Sequence, residues 1–448
     1  MATVTNWTGQ DANALRRALR MSVTGFAEHL GAARRTVAKW SSQGKSIQLR
    51  ADMQAALDTV LARAAPDVLE RFEALREQGT CSALAATTRP PAAGDADTGR
   101  DKPGFESDGD VQRRQFLQGA TVGGMATLAG VTPLLDALVS APATRTAEPV
   151  ALPLRDFARD IATAKAAYQA CRYEQVLGGL ATLLPALAPT REEAEGDQRT
   201  RIEALASDLY HVVGSVLLKI GDRGMALVAA ERSTHAGAAS QDPVAIACSA
   251  RIMTHALMSN GHTRQARNLA ENAASALERN TRLGSTDQVA VYGALLLRGA
   301  IAAARSGDRD SAQAMIDEAT RAAARLGYDG NDRWTGFGTT NVLLHQVNIA
   351  LTLGDAGTAV TLARQVPLDK IRLAERRASL FVDVARAYTQ WGRYEHGLNA
   401  LRIAYDVAPE ELRCRPAVQR IAGDLAALSR GHLRTEVVEF AHRVGIPV

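Results

Sequence analysis

The chain has 448 residues, of which 46% are hydrophobic and only 4% aromatic, and its formal net charge is +4. This length suffices for two or more domains, and abundant small apolar residues with few aromatic ones favour closely packed helices over sheets. The four cysteines, Cys81, Cys171, Cys248 and Cys414, are far apart, which argues against a disulfide scaffold or a zinc site. We find no apolar run of membrane-spanning length and no signal peptide at residues 1–10, so we expect a cytoplasmic protein without membrane contact.

The first part of the chain, residues 1–78, is predicted to be a separate domain, and residues 11–77 within it have the pattern of helices. Within it, Phe26, Ala27 and Leu30 form the inner face of one short helix. Gly31 supplies a tight turn, and Val37 and Trp40 would pack a second helix back onto the first. This spacing predicts a helix-turn-helix. Flanking helices are predicted over Asn13–Arg20, Arg50–Ala64 and Asp67–Gln78.

The outer face of the second helix carries long donors. Arg34, Arg35 and Lys39 point away from the inner face, where they can reach base edges and phosphates of a major groove. Basic residues exceed acidic ones throughout this region, so DNA is the favoured partner. The alternative is a small solvated helical hairpin within a larger protein.

The segment resembles the Cro/repressor-like (XRE) helix-turn-helix family. The matching residues are Met21-Ser22, Phe26-Ala27, Leu30-Gly31, Thr36-Val37 and Trp40. Val23 and Ala33 depart from the family pattern, which usually has glutamine and a serine or threonine cap there. The resemblance implies base contacts at Arg34, Arg35 and Lys39, and Thr24 and Thr36 complete the predicted DNA-binding set.

Residues 79–112 are predicted to be a flexible linker, because a polar stretch rich in proline and glycine cannot bury enough apolar surface to order itself. A connecting helical segment is predicted over 113–150. It begins with Arg113-Arg114-Gln115-Phe116-Leu117, which resembles a twin-arginine export signal. Its internal position favours a helix that packs on the following domain instead.

From residue 151 to 448 the sequence repeats. Glycine turns at Gly221, Gly261, Gly307, Gly354 and Gly392 are spaced 40, 46, 47 and 38 residues apart, and Cys171 marks a sixth, less regular instance. Each turn has an apolar helix before it and an alanine-rich helix after it. The pattern resembles the tetratricopeptide repeat, with longer units, over about two thirds of the chain. We therefore expect an all-α protein with a C-terminal α-solenoid of helical hairpins.

A polar stripe recurs on the first helix of each repeat. Asn341, His345 and Asn348 stand thirteen, nine and six residues before Gly354, and the same offsets select polar residues in the other repeats, namely Ser379, Asp383, Arg386, Arg298, His255, Asp208 and Ser215. These offsets share one helical face. Either the stripe binds an extended peptide or polar small molecule, or it is only a solvated concave face. Trp334 and Phe337 lie just ahead of it, as a lid or an anchor.

The predicted ligand-binding set is therefore Asn341, His345, Asn348, Asp383, Arg386, Trp334 and Phe337. No nucleophile and base stand at a diagnostic spacing, so we expect neither an enzyme nor a metal or cofactor. The favoured interpretation is a transcriptional regulator that binds an operator in double-stranded DNA as a homodimer and responds to an effector. The alternative is a tetratricopeptide adaptor whose helix-turn-helix is vestigial.

Overall fold

The structure is a computed structural model, and it describes residues 4, 7–19, 21, 23–30, 32, 36–37, 40, 49, 51–62, 64, 68–73, 75–76, 130–139 and 149–446. None of these residues belongs to a β-strand. The chain divides into two compact units, Met1–Glu106 and Ser107–Val448. The whole predicted linker, residues 79–112, and the Arg113-Arg114 motif lie outside the described residues.

The first unit contains the helices Gly9–Ala18 (α1), Val23–His29 (α2) and Ala51–Ala62 (α3). Thr8 begins α1 with a capping box, in which its side chain accepts from the Asp11 backbone and Asp11 accepts from the Thr8 backbone. The inner-face residues predicted for the helix-turn-helix are all buried in one core, together with Trp7, Leu15, Leu57 and Phe72. Trp7 also donates from its indole N–H to Asp58, at 2.7 Å.

The second unit is built from antiparallel helical hairpins. The paired helices are Leu154–Gln169 (α5) with Tyr173–Glu193 (α6), Asp197–Ile220 (α7) with Arg223–Ser240 (α8), Pro243–Ser259 (α9) with Thr263–Thr281 (α10), Thr286–Arg305 (α11) with Arg309–Leu326 (α12), Thr339–Thr352 (α13) with Ala356–Gln365 (α14), and Ala374–Gln390 (α15) with Tyr394–Val407 (α16). Three further helices follow, Pro409–Cys414 (α17), Pro416–Leu428 (α18) and Gly431–Val444 (α19).

The predicted turns join the two helices of each hairpin. Gly221, Gly261, Gly307, Gly354 and Gly392 all adopt positive φ, between 75° and 92°. Glycine takes this left-handed conformation without a Cβ penalty, so it ends the first helix and reverses the chain. At Asp222 and Asp308 the carboxylate accepts from a backbone N–H of the second helix at 3.0 Å, whereas Asp355 makes no such bond. In the first two turns, the Gly-Asp dipeptide therefore ends one helix and caps the next.

Part of the connecting segment is also described. Residues Val131–Val139 form a helix (α4, here called the connecting helix) that buries Leu134 and Leu138 against α6. Arg232 of α8 donates to the carbonyl of Leu138. The connecting helix therefore shares the core of the first hairpins.

The hairpins curve until the last ones meet the first. The backbone N–H of Tyr173 donates to Glu410 at 2.6 Å, across 237 positions of sequence, and Ala378 of α15 joins the core of α5 and α7. The concave side is therefore enclosed by the protein itself, which the repeat pattern did not predict. No described helix is both long and apolar enough to cross a membrane.

Candidate ligand-binding cavity

A polar cavity of about 180 Å³ lies on the concave side of the second unit, with a narrower lobe beside it. We call the two together the central cavity. Its lining comes almost entirely from the first helices of the six hairpins, as the repeat pattern predicts for a concave face. The polar residues that line it are Tyr168, Gln169, His211, Ser215, Lys219, Arg251, His255, Arg298, Arg305, Trp334, Asn341, His345, Asn348, Glu375, Arg376, Ser379, Asp383 and Arg415.

Five residues of the predicted ligand-binding set line this cavity, four of them in its larger part. Asn341 and His345 are buried on α13, where Nδ1 of His345 lies 2.8 Å from the carbonyl oxygen of Asn341 and donates to it. Asn348, one turn further on, donates to Asp383 of α15 at 2.9 Å. Burial raises the pKa of Asp383. The stripe therefore forms one wall of the cavity.

Of the other three predicted residues, only Trp334 lines the cavity. Arg386 is exposed on α15 and does not line the cavity. Phe337 is fully buried against Gly293 of α11, so the idea of a lid is wrong for this side chain and the idea of an anchor fits. Trp334 faces the narrower lobe, donates from Nε1 to the carbonyl of Lys165 at 3.1 Å and packs edge-on against Tyr168 and His211.

The seam between first and last hairpins is an ion cluster. Nζ of Lys219 lies 2.7 Å from Glu375 and 2.7 Å from Glu411. Glu411 is fully buried, accepts from the phenol of Tyr173, and is paired with Arg415 at 2.9 Å. Burial alone would lower the pKa of Lys219 and raise that of Glu375, but their mutual attraction shifts both the other way. The two carboxylates are therefore matched by two cations.

Three arginines lack such a match. Arg298 of α11 makes no hydrogen bond or ion pair with the described residues, although it is partly buried. Arg251 of α9 is 5% exposed and has only long contacts of 3.4 Å to His211 and to the carbonyl of Trp334. Arg376 of α15 lies 3.6 Å from Glu375, which Lys219 already occupies, and donates to the carbonyl of Thr335 at 3.2 Å.

Three histidines on the first helices of the hairpins have pKa values lowered by this positive charge. Burial and the nearby guanidinium groups hold the pKa of His211 and His255 well below their usual value. Burial, Arg376 and Arg298 lower the pKa of His345 to about 3. Burial with Arg376 and Arg251 also lowers the pKa of Arg298, to about 9. At neutral pH the histidines are uncharged and the arginines charged.

The offset comparison identified Arg298, His255 and Asp383 but missed the other charged residues of the cavity. Arg251 and His211 both stand ten residues before their turn glycines, one position from the chosen offset of nine. A better signal for cavity residues is a single charged residue between apolar residues of the first helix, as in Ala250-Arg251-Ile252. Lys219, Glu375 and Glu411 carry no repeat signal, because they meet only when distant hairpins close.

The predicted DNA-binding residues are mostly beyond the described part of the chain. Arg34, Arg35 and Lys39 lie outside the described residues. Thr36 is partly buried and helical, and Thr24 lies on α2. Among the described residues, histidine, cysteine and carboxylate side chains form no group that could hold a metal ion.

Comparison with known proteins assigns the chain to no family. No family model matches the chain, and no curated protein matches it. Among solved structures, the chain is similar to a Rap protein crystallised in complex with competence and sporulation factor, with 14% sequence identity and a TM-score of 0.42 over 94% of this chain and 100% of the other. A TM-score this low carries no fold assignment, so the architecture rests on the helices described above.

Proposed function

We propose that the protein is a DNA-binding transcriptional regulator whose helical-repeat unit senses a small polar ligand in the central cavity. The observation that carries the sensing role is the cavity itself. Its walls hold unpaired polar atoms on Arg251, Asn341 and Arg376, each buried without a hydrogen-bond partner among the described residues. Buried polar groups are costly unless they are paired, so such a cavity suits a ligand that supplies the partners.

The size of the cavity favours a small molecule over an extended peptide. A volume of about 180 Å³ is below the roughly 300–1,000 Å³ usual for drug-sized ligands. The contacts from Tyr173 and Lys219 to the last hairpins also close the concave side, where a tetratricopeptide adaptor would bind its partner. Both features support sensing rather than an adaptor role.

DNA binding rests on the sequence of the first unit. Phe26, Leu30, Val37 and Trp40 are buried in one core, which supports a helix whose other face carries Arg34, Arg35 and Lys39. A homodimer formed mainly through residues 151–448 would present two such helices to a two-fold operator. No catalysis is proposed.

The test is selection of bound sequences from random duplex DNA by the full-length protein. The parent should enrich one two-fold symmetric site, and the Arg34→Ala/Arg35→Ala protein should not. An exposed arginine of the repeat unit, Arg264, provides the matched control when changed to alanine. Equal enrichment by parent and double variant would exclude this helix as the reader of the sequence.

A further inference from the structure

The charges of the central cavity do not balance. Six cationic side chains line it, Lys219, Arg251, Arg298, Arg305, Arg376 and Arg415, against the carboxylates of Glu375 and Asp383. A third carboxylate, Glu411, bonds to Lys219 and Arg415. The described residues therefore leave an excess of positive charge around the cavity, and these like charges repel one another.

We propose that the central cavity binds a small oxyanion, a phosphate or a dicarboxylate, between Arg251, Arg298 and Arg376. This inference rests on the proposed sensing function and names the class of its ligand. The guanidinium fork matches the oxygens of both anion types and favours paired hydrogen bonds to them. Three forks that converge from α9, α11 and α15 would surround a compact anion.

The assignment of the other ions leaves these three arginines for the ligand. Lys219 and Arg415 neutralise Glu375 and Glu411 at 2.7–2.9 Å. Asp383 takes its hydrogen bond from Asn348. Arg251 and Arg298 then have no carboxylate within ion-pair distance among the described residues, and Arg376 has only the shared Glu375.

Unpaired atoms in the two lobes of the cavity point to the same ligand. The Nε atoms of Arg251 and Arg376 are buried donors without a hydrogen-bond acceptor, although Nε of Arg376 lies 3.6 Å from Glu375, and Oδ1 of Asn341 is a buried acceptor without a donor. Anion oxygens would accept from the two Nε atoms. A hydroxyl, present in hydrogen phosphate and in a hydroxy acid, would donate to Asn341.

A purely structural role for Arg298 predicts a different sign of stability change. An arginine that holds the fold together destabilises the protein when it is removed. An unmatched buried charge costs stability in the free protein, so its removal stabilises the protein and weakens ligand binding. The two roles are therefore separable in one variant.

The experiment measures anion binding by full-length protein without DNA, by calorimetry and by thermal unfolding. Inorganic phosphate and malate are titrated separately, against chloride at equal ionic strength. We expect saturable binding of at least one of them, weakened roughly ten- to hundredfold in Arg298→Gln, since each lost charged hydrogen bond has that effect. Free Arg298→Gln should unfold at a higher temperature than the parent.

Arg264→Gln is the matched control, because it removes the same charge from an exposed position. It also corrects for the general stabilisation that phosphate gives to most proteins. Arg251→Gln repeats the test at a second position. Binding of phosphate alone or malate alone supports the proposal and identifies the anion type.

Three results would overturn the proposal. They are no saturable binding of either anion, parental affinity in Arg298→Gln, and a lower unfolding temperature for free Arg298→Gln. Anion binding without selection of a DNA site would instead count only against the regulator. DNA binding that responds to a cell extract but to neither anion would count only against the anion.

Discussion

Gly293 and Phe337 are in close contact in the core of the second unit. Gly293 lies inside α11, and a Cβ built there would meet three ring carbons of Phe337 at less than 3.0 Å. Phe337 is fully buried, so its ring has no free volume to enter. We predict that Gly293→Ala displaces this ring and destabilises the second unit.

The magnitude follows from two opposing effects. Alanine in place of glycine inside a helix stabilises it by about 1 kcal/mol. Loss of a buried phenylalanine from its site costs about 3–5 kcal/mol, and overpacking that keeps the ring inside costs about 1–3 kcal/mol or more. We expect a net loss of about 2–4 kcal/mol, which lowers the Tm by about 4–8 °C for a unit of this size.

Thermal unfolding of the full-length protein, followed by circular dichroism, measures this change. Gly179→Ala is the matched control, because Gly179 is also inside a helix but nothing lies within 4 Å of its added Cβ. The control should be stabilised by a few tenths to 1 kcal/mol. In a Phe337→Ala background, Gly293→Ala should cost nothing further. If Gly293→Ala is as stable as Gly179→Ala in the otherwise unchanged protein, the packing argument is wrong.

Four other predictions follow from the same contacts. Lys219→Met leaves two buried carboxylates without their shared cation and should destabilise the protein by about 3–5 kcal/mol. The control Arg321→Met removes an exposed ion pair and should change the free energy of unfolding by less than about 1 kcal/mol. Equal effects of the two substitutions in denaturant titrations would contradict the burial argument. The folded-state pKa of His345 is about 3, below its unfolded value. The contribution of neutral His345 to the free energy of unfolding is therefore complete above about pH 6.5 and falls by about 2 kcal/mol by pH 5. A His345→Gln protein should show a shallower loss of stability on acidification. Either Arg34→Ala or Arg35→Ala should weaken operator binding by about 1–3 kcal/mol in titrations at fixed salt. Sedimentation of the full chain at tens of micromolar should show a dimer, and a strict monomer would refute dimerisation.

The hairpin architecture was predictable because its signals are local. Gly221 and Gly307, each followed by aspartate, end one helix and cap the next within three residues, and the alternation of apolar and alanine-rich helices needs no distant information. The cavity wall on α13 was predictable for the same reason, since helical offsets place Asn341, His345 and Asn348 on one face.

Closure of the superhelix was not predictable from that pattern. It depends on pairs such as Tyr173 with Glu411 and Lys219 with Glu375, separated by 238 and 156 positions. Small rotations at each hairpin interface add up over the array, and no single repeat encodes their sum. Arg386 illustrates the limit, because its offset matches Asn348 while its place near the rim leaves it exposed.

The unbalanced positive charge of the cavity provides a physical mechanism by which ligand binding could change the arrangement of the hairpins. Arg251, Arg298 and Arg376 project from α9, α11 and α15, so their mutual repulsion in the free protein pushes three separate hairpins apart. An anion between them replaces that repulsion with attraction toward one centre. A ligand shifts a conformational equilibrium only by its differential affinity for the two states, and here the closed state gains the larger share because only there do all three guanidinium groups reach one anion. Anion binding should therefore tighten the seam at Lys219 and Glu375. Hydrogen exchange at the backbone amides of Tyr173 and Glu174 should then slow when the anion binds. Unchanged exchange at these amides with the anion bound would show that binding does not drive closure.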